Sequence, residues 1–350
     1  MRRRRTIGPG GAALFLLLAL LLGLPIRGRV ATESSLARDF TSQIKPFFEG
    51  QFVEGSLATR DGLTLRYVKR PAAHPQGVLV LVPGRTEFAA KYAELAYDLR
   101  ALPVSIYILD LRGQGLSSRM LADHDKGYVG AFNDYVDDLA RFLDTVVRPE
   151  QRGPLVLLAH SLGGAIACLY ADAHPERVQG LILCSPMLAI NTRPLPAFAA
   201  RLLAGGMVDL GLGDRYLPRG GPYNPKKPFA RNDLTGSRAR FDLNRRLVAE
   251  NPANALGSPT FAWLYQAFIG MGRLAAHHRR LTMPILLLQA GDDTVVGNAA
   301  QNDLCRKLPH CTLTTLAGAK HEILMERDGI RNQAIALIRD FENTHGEARP

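Results

Sequence analysis

No glycine-rich nucleotide loop, no set of Cys and His at metal-ligand spacing, and no helix-turn-helix, zinc-finger or RNA-binding signature occurs in this sequence. No internal repeat or low-complexity tract follows the first thirty residues, which excludes solenoid and propeller architectures. No cofactor, metal or nucleic-acid partner is therefore expected. Cysteine is scarce, at 4 in 350 residues. Cys168 and Cys184 fall in apolar runs and read as buried thiols. Cys305 and Cys311 flank the pentapeptide RKLPH, and an oxidising compartment would let them close a short disulfide. What is present is ordinary globular material, 47% hydrophobic and 21% charged, enough for one large domain or two modest ones.

The amino terminus differs in kind. Arg2 to Arg5 precede an uncharged stretch from Thr6 to Ile26 whose apolar part is Ala12 to Leu24. This pattern reads as a secretory signal or, being long enough to span a bilayer once, as a signal anchor. The basic cluster would stay cytoplasmic and the body would be exported, periplasmic or secreted.

The formal charge of +11 is unevenly spread. Six arginines lie in the first 31 residues without an acid, which leaves +5 for the body. Between Met187 and Ala275 twelve Lys and Arg face five Asp and Glu, so this segment is basic and the remainder slightly acidic. A basic excess confined to one segment of an exported chain suggests an anionic membrane surface, with Arg238, Arg240, Arg245 and Arg246 as its contacts.

Apolar strands alternate with amphipathic helices along most of the body. Val78–Val82, Val104–Leu109, Leu155–Ala159, Val178–Cys184 and Ile285–Gln289 are runs apolar on both faces, and helical periodicity marks Glu87–Arg100, Phe132–Val147 and Leu162–Ala173. Thr64–Arg70 and Thr312–Leu316 read as further strands, and a helix closes the chain from about Glu322 to Asn343. The alternation predicts a mostly parallel sheet with helices on both faces. It breaks at residues 187–276, which read as a cap inserted between a first core segment, 45–186, and a second, 277–345.

The chemistry sits where strands end. In AHSLG, Ala159 to Gly163, an apolar strand runs into Ser161 and then into a helix rich in small residues. That is the nucleophile elbow, which lifts a serine Oγ out of the sheet and leaves the Leu162 N–H free to receive an oxyanion. A serine needs a base. His321, in GAKHEIL between the last strand and the last helix, occupies the fitting edge, whereas His160 should point away and His277 and His278 lack carboxylates nearby. In LLLQAGDDTVV two aspartates follow a strand; the D-x-V-V spacing favours Asp293 as the acid and leaves Asp292 to cap the next helix. The order Ser, Asp, His is that of the α/β-hydrolases. In the loop VPGRTEF, Gly84 permits close backbone approach, the Arg85 N–H is the second oxyanion donor, and Glu87 braces the loop.

Taken together, PGRTEF…KY, DLRGQGLSS, FNDYVDDL, AHSLGG, LLLQAGDDTVV and KHEILME resemble the bacterial lysophospholipase and monoacylglycerol lipase branch of the α/β-hydrolases, from about residue 50 to 343. Pro83 stands where H-G-x-x-E proteins have histidine, and Ala159 replaces the usual elbow glycine. The resemblance implies a Ser161–Asp293–His321 triad, hole donors at Arg85 and Leu162, a mobile cap, and a lipid or small-ester substrate. Phe198, Trp263 and Phe268 are candidates to wall an acyl tail. A small-ester carboxylesterase or serine aminopeptidase on the same fold stays open, as does a non-catalytic binding protein. An aspartate-nucleophile dehalogenase or epoxide hydrolase does not, because Ser161 occupies the elbow.

Overall fold

In the computed structural model, which describes residues 31–346, eight strands form one sheet in the order β1-β2-β4-β3-β5-β6-β7-β8. These are β1 Val53–Ala58, β2 Thr64–Arg70, β3 Gly77–Val82, β4 Val104–Leu109, β5 Leu155–His160, β6 Gly180–Cys184, β7 Ile285–Ala290 and β8 Cys311–Leu316. β1 and β2 pair antiparallel with each other, β2 pairs antiparallel with β4, and every other pairing is parallel. The sequence explains which strands lie inside. GVLVLV, VSIYIL, LVLLAH, GLILC and ILLLQA are buried at every position, as strands covered on both faces must be. The edge strands β1 and β8 mix polar and apolar residues and are partly exposed.

This is the α/β-hydrolase fold. Helix Leu162–Ala173 is nearly all small or apolar and is buried through its first ten residues. Helix Phe132–Phe142 packs beside it with a single apolar face, and helix Asp328–Phe341 follows β8. Three helices lie between β6 and β7: Ala197–Asp209, Arg238–Glu250 and Phe261–Ala276. The sequence suggests only short helical pieces here, at Ala197–Leu203 and Pro259–Phe268, and the first and third helices run well beyond them. The middle one is missing from the expectation altogether, because in RARFDLNRRLVAE an arginine, Arg240, takes a place on the buried face beside Leu243 and Leu247.

Arg240, on that middle helix, corrects an expectation about the basic segment. Instead of facing a membrane, its side chain is fully buried. Its guanidinium is bidentate to Glu94, at 2.8 and 3.0 Å, and also reaches Asp328 Oδ1 at 3.0 Å and the Glu326 carbonyl at 2.8 Å. Arg331 adds contacts to Glu94 at 3.3 Å and Asp98 at 2.7 Å. Arg240 thus clasps the inserted segment to two neighbouring core helices, Ala93–Asp98 and Asp328–Phe341. Arg238 and Arg246 are paired with Asp242 and Glu250 on the same helix.

Ahead of β1 the chain turns through helices at Leu36–Asp39 and Lys45–Gln51. Leu36, Phe40 and Ile44 pack there with Leu243, Leu247 and Val248 of the middle inserted helix. Among the described residues no helix is long and apolar enough to cross a membrane. The basic and apolar segment expected to be a signal or anchor lies outside the described residues.

Candidate active site

Ser161 joins β5 to helix Leu162–Ala173 with φ of 49°, a left-handed value that non-glycine residues rarely adopt. Such strain persists only where the surroundings over-determine it. Here the Ser161 N–H donates to the Cys184 carbonyl of β6 at 3.0 Å, and its own carbonyl accepts from Gly164 and Met187, both at 2.9 Å. Gly163 follows because a Cβ there would stand 2.1 Å from the Val82 carbonyl oxygen. The elbow helix therefore begins directly against the end of β3, beside the loop that carries Arg85.

Three side chains from three strand ends meet at this point. His321 Nε2 lies 2.9 Å from Ser161 Oγ, and His321 Nδ1 lies 2.8 Å from Asp293 Oδ2. The other Asp293 oxygen accepts the Val295 and Val296 N–H groups at 2.8 and 3.0 Å. Burial opposes the Asp293 charge, but the bond to His321 and these amides outweigh it and hold the carboxyl below its ordinary 3.8. Asp293 is therefore the carboxylate that meets the imidazole. Asp292 is exposed and its amide bonds the Ala319 carbonyl; it does not cap helix Asn298–Lys307, whose cap residue is Gly297. The geometry can carry a proton from serine to imidazole while the carboxylate holds the ring in one tautomer.

Leu162 is the first residue of its helix, so its N–H has no acceptor within that helix. Arg85 sits in the loop after β3. The loop's shape comes from Glu87, whose Oε2 accepts from Gly84 N–H at 2.5 Å, from Tyr92 Oη–H at 2.6 Å and from His160 Nδ1–H at 2.8 Å. A Cβ at Gly84 would stand 2.6 Å from His160 Nδ1, which is why glycine is required there.

His160 turns out to be more than a bystander. While Nδ1 faces Glu87, Nε2 faces the His321 carbonyl oxygen at 3.2 Å. Both ring nitrogens of His160 thus face acceptors, an arrangement that favours the doubly protonated ring. Burial works against that charge, yet the Glu87 carboxylate prevails and raises the His160 pKa above 6.5. Burial likewise disfavours the Glu87 charge, but His160 and Lys91 hold its carboxyl well below 4.5. Lys91 lies 3.0 Å from Glu87 and 2.7 Å from Glu322, the residue after His321. A buried charge network thus ties the loop of Arg85 to the loop of His321. Adjacent sequence hints at none of these pairings except that of Glu87 with its own loop.

The expected tail-walling residues fall in different places. Trp263 and Phe268 are buried in the main hydrophobic core, with the Trp263 ring 5.5 Å from the Arg85 guanidinium carbon. Phe198 is 70% exposed on helix Ala197–Asp209 and walls nothing. Cys305 and Cys311 are joined in a disulfide, and Cys168 and Cys184 are free and buried. Among the described residues no group of His, Cys, Asp or Glu is placed to hold a metal ion.

Fold and site together define an α/β-hydrolase with a serine, a histidine and an aspartate at the carboxyl edge of its sheet. The chain belongs to the Hydrolase_4 family, described as serine aminopeptidase, S33, which matches residues 73–328. It is similar to lysophospholipase L2 of Escherichia coli K12, with 39% identity over 300 residues, 83% of this chain and 88% of the relative. Monoglyceride lipase of Rattus norvegicus is 27% identical over 286 residues, 81% of this chain and 88% of the relative. A soluble variant of monoglyceride lipase from Saccharomyces cerevisiae, solved with a substrate analogue, shares the fold with a TM-score of 0.66 at 17% identity, covering 84% of this chain and 96% of that one.

Proposed function

We propose that this protein cleaves the carboxylic ester of monoacyl lipids, as a lysophospholipase or monoacylglycerol lipase does, through an acyl-enzyme on Ser161. The observation that carries the reading is the 2.9 and 2.8 Å chain from Ser161 Oγ through His321 to Asp293. His321 Nε2 takes the hydroxyl proton as Oγ attacks the ester carbonyl. The Leu162 and Arg85 amides receive the oxyanion, and the protonated His321 gives its proton to the leaving alcohol. Water, deprotonated by the same imidazole, then attacks the acyl-enzyme and frees the fatty acid. The similarity to lysophospholipase L2 supports a lipid ester over other acyl substrates.

The reading extends to location. The body acts after export, at a membrane surface, with residues 187–276 as a cap. Helix Ala197–Asp209 supports the surface contact: Phe198 and Leu202 are 70% and 72% exposed one turn apart, Leu210 follows at 74%, and Arg201 is exposed among them. This apolar stripe, rather than Arg240, is the surface that would enter the lipid.

A hydrolysis panel of lysophospholipids, monoacylglycerols, short nitrophenyl esters and aminoacyl amides, run with wild type and Ser161→Ala, tests the reaction. Lipid esters should be turned over best, and only by wild type. Preference for aminoacyl amides would replace the lipase with an aminopeptidase, and failure of a fluorophosphonate to label wild type would remove the nucleophile.

A further inference from the structure

Beside the loop of Arg85 lies a cavity of about 310 Å³ closed on its other side by the inserted segment. Its ionisable lining is one-signed: Arg85, Lys227 and Arg245 contribute cations, and no Asp or Glu lines it. Four asparagines, Asn224, Asn232, Asn244 and Asn254, supply neutral polar groups. None of the three cations is ion-paired among the described residues, in a protein where Arg112, Arg240, Arg331 and Lys91 all have carboxylate partners.

Arg85 is the unusual member. Its Nη2 donates to the Gly257 carbonyl and its ring-facing side lies over Trp263, but its buried Nε has no partner. Burial pushes its pKa down to about 10, which still leaves it charged at neutral pH. A desolvated guanidinium without a counter-charge is costly unless an anion arrives to pair with it. Arg245 likewise spends one nitrogen on the Pro225 carbonyl and otherwise faces the Phe241 ring at 5.7 Å.

The cavity is built mostly from the inserted segment and touches the loops of the Ser161 site at two places. Arg85 and Thr86 belong to the oxyanion loop. Asn232 and Leu234 are held by the residues flanking His321, since Lys320 Nζ donates to the Asn232 carbonyl at 2.7 Å and the Glu322 N–H to the Leu234 carbonyl at 2.7 Å. The cavity thus shares Arg85 with the oxyanion loop and is tied through Asn232 and Leu234 to the loop of His321. In a monoacyl glycerophospholipid the phosphodiester is separated from the ester only by glycerol carbons. We propose that this cavity binds the phosphodiester headgroup of the substrate, with Arg85, Lys227 and Arg245 as its cations, and that it favours lysophospholipid over monoacylglycerol. The proposal rests on the lipid-ester reading of the Ser161 site.

The test uses the full chain with Lys227→Gln and Arg245→Gln, singly and together, all checked for unchanged melting temperature. First, kcat/KM is measured for a lysophospholipid and a monoacylglycerol with the same acyl chain. The ratio should fall about ten- to a hundredfold in the double variant, as loss of charge-assisted bonds to phosphate requires. Equal losses on both substrates, or none on either, overturn the proposal. Second, binding is measured in the Ser161→Ala background, so that it does not depend on turnover. Lysophospholipid should bind more tightly than monoacylglycerol, and the difference should vanish when both cations are replaced. Soluble glycerophosphodiester should compete better than inorganic phosphate. Equal competition would make this a general anion site and overturn the headgroup assignment. If wild type hydrolysed no lipid ester, the lipase reading would fall while the binding measurement still decided the cavity: cation-dependent lysophospholipid binding upholds it, and its absence overturns it.

Discussion

His160 lies beneath His321, with its Nε2 3.2 Å from the His321 carbonyl oxygen and its rings 4.9 Å apart centre to centre. The lower ring is paired with Glu87, and the upper faces Ser161. The buried Glu87–His160 pair thus holds the backbone of the residue that faces Ser161.

This pairing sets a pH dependence of stability. His160 has its folded pKa raised, so its contribution is complete below 6.5 and is lost as pH rises through the raised value. Glu87 has its folded pKa lowered, so its contribution is complete above 4.5 and is lost as pH falls toward the lower value. The pair therefore stabilises most between 4.5 and 6.5. The melting-temperature gap between wild type and the double variant Glu87→Gln/His160→Gln should peak in that window and shrink at alkaline pH. A gap constant across pH would mean that the two residues contribute through packing alone.

The two adjacent aspartates should behave very differently. Asp293→Asn leaves the ring in the wrong tautomer and should lower kcat by about ten-thousandfold, while Asp292→Asn changes it by no more than a few-fold. Steady-state kinetics on a soluble nitrophenyl ester decides this, and a crippled Asp292→Asn would refute the assignment of the acid.

Arg240→Gln should destabilise the protein by about 3–5 kcal/mol, because it leaves Glu94 buried beside a lost partner, whereas Arg238→Gln should stay within about 0.5 kcal/mol. Urea unfolding measures both. A near-neutral Arg240→Gln would show that Arg331 alone satisfies Glu94.

Replacing Phe198 and Leu202 with serine should weaken binding to phospholipid vesicles and lower turnover of dispersed lipid. Hydrolysis of a short soluble ester should not change, since neither residue lies in the core. Flotation with vesicles reads the first effect. Unaltered vesicle binding would remove helix Ala197–Asp209 as the membrane contact.

Alkylation under denaturing, non-reducing conditions should modify two cysteines, Cys168 and Cys184, and reduction should release two more. Serine at both Cys305 and Cys311 should cost about 2 kcal/mol of stability, the loop-closure value for so short a ring. Four modified thiols without reductant would contradict the bridge.

Much of this protein was readable along the chain. The five fully buried strands announce themselves as mainly apolar runs; the elbow and the acid each stand at the end of one and the base after the edge strand β8, so their order could be read before their contacts were known. Asp293 was separable from Asp292 by the spacing to Val295 and Val296, the residues whose amides it accepts. Helix Arg238–Glu250 was not readable, because its deepest residue is an arginine and burial of a charge is visible only once its carboxylate is found 146 residues away. For the same reason Arg240 was expected at a membrane surface when it is a buried clasp.

Seven of the eight strands, the elbow and the three groups that meet there were legible in the chain, because hydrophobic runs and strand-end residues are local properties; β1, a mixed edge strand, was not. Tertiary structure alone decided which charges are partnered. It put Arg240 against Glu94, set His160 between Glu87 and His321, and left Arg85, Lys227 and Arg245 around one cavity without a carboxylate. The physical reason is that the free energy of a charge depends on burial and on the opposite charge within a few ångströms, and neither is a property of the neighbouring residues in sequence.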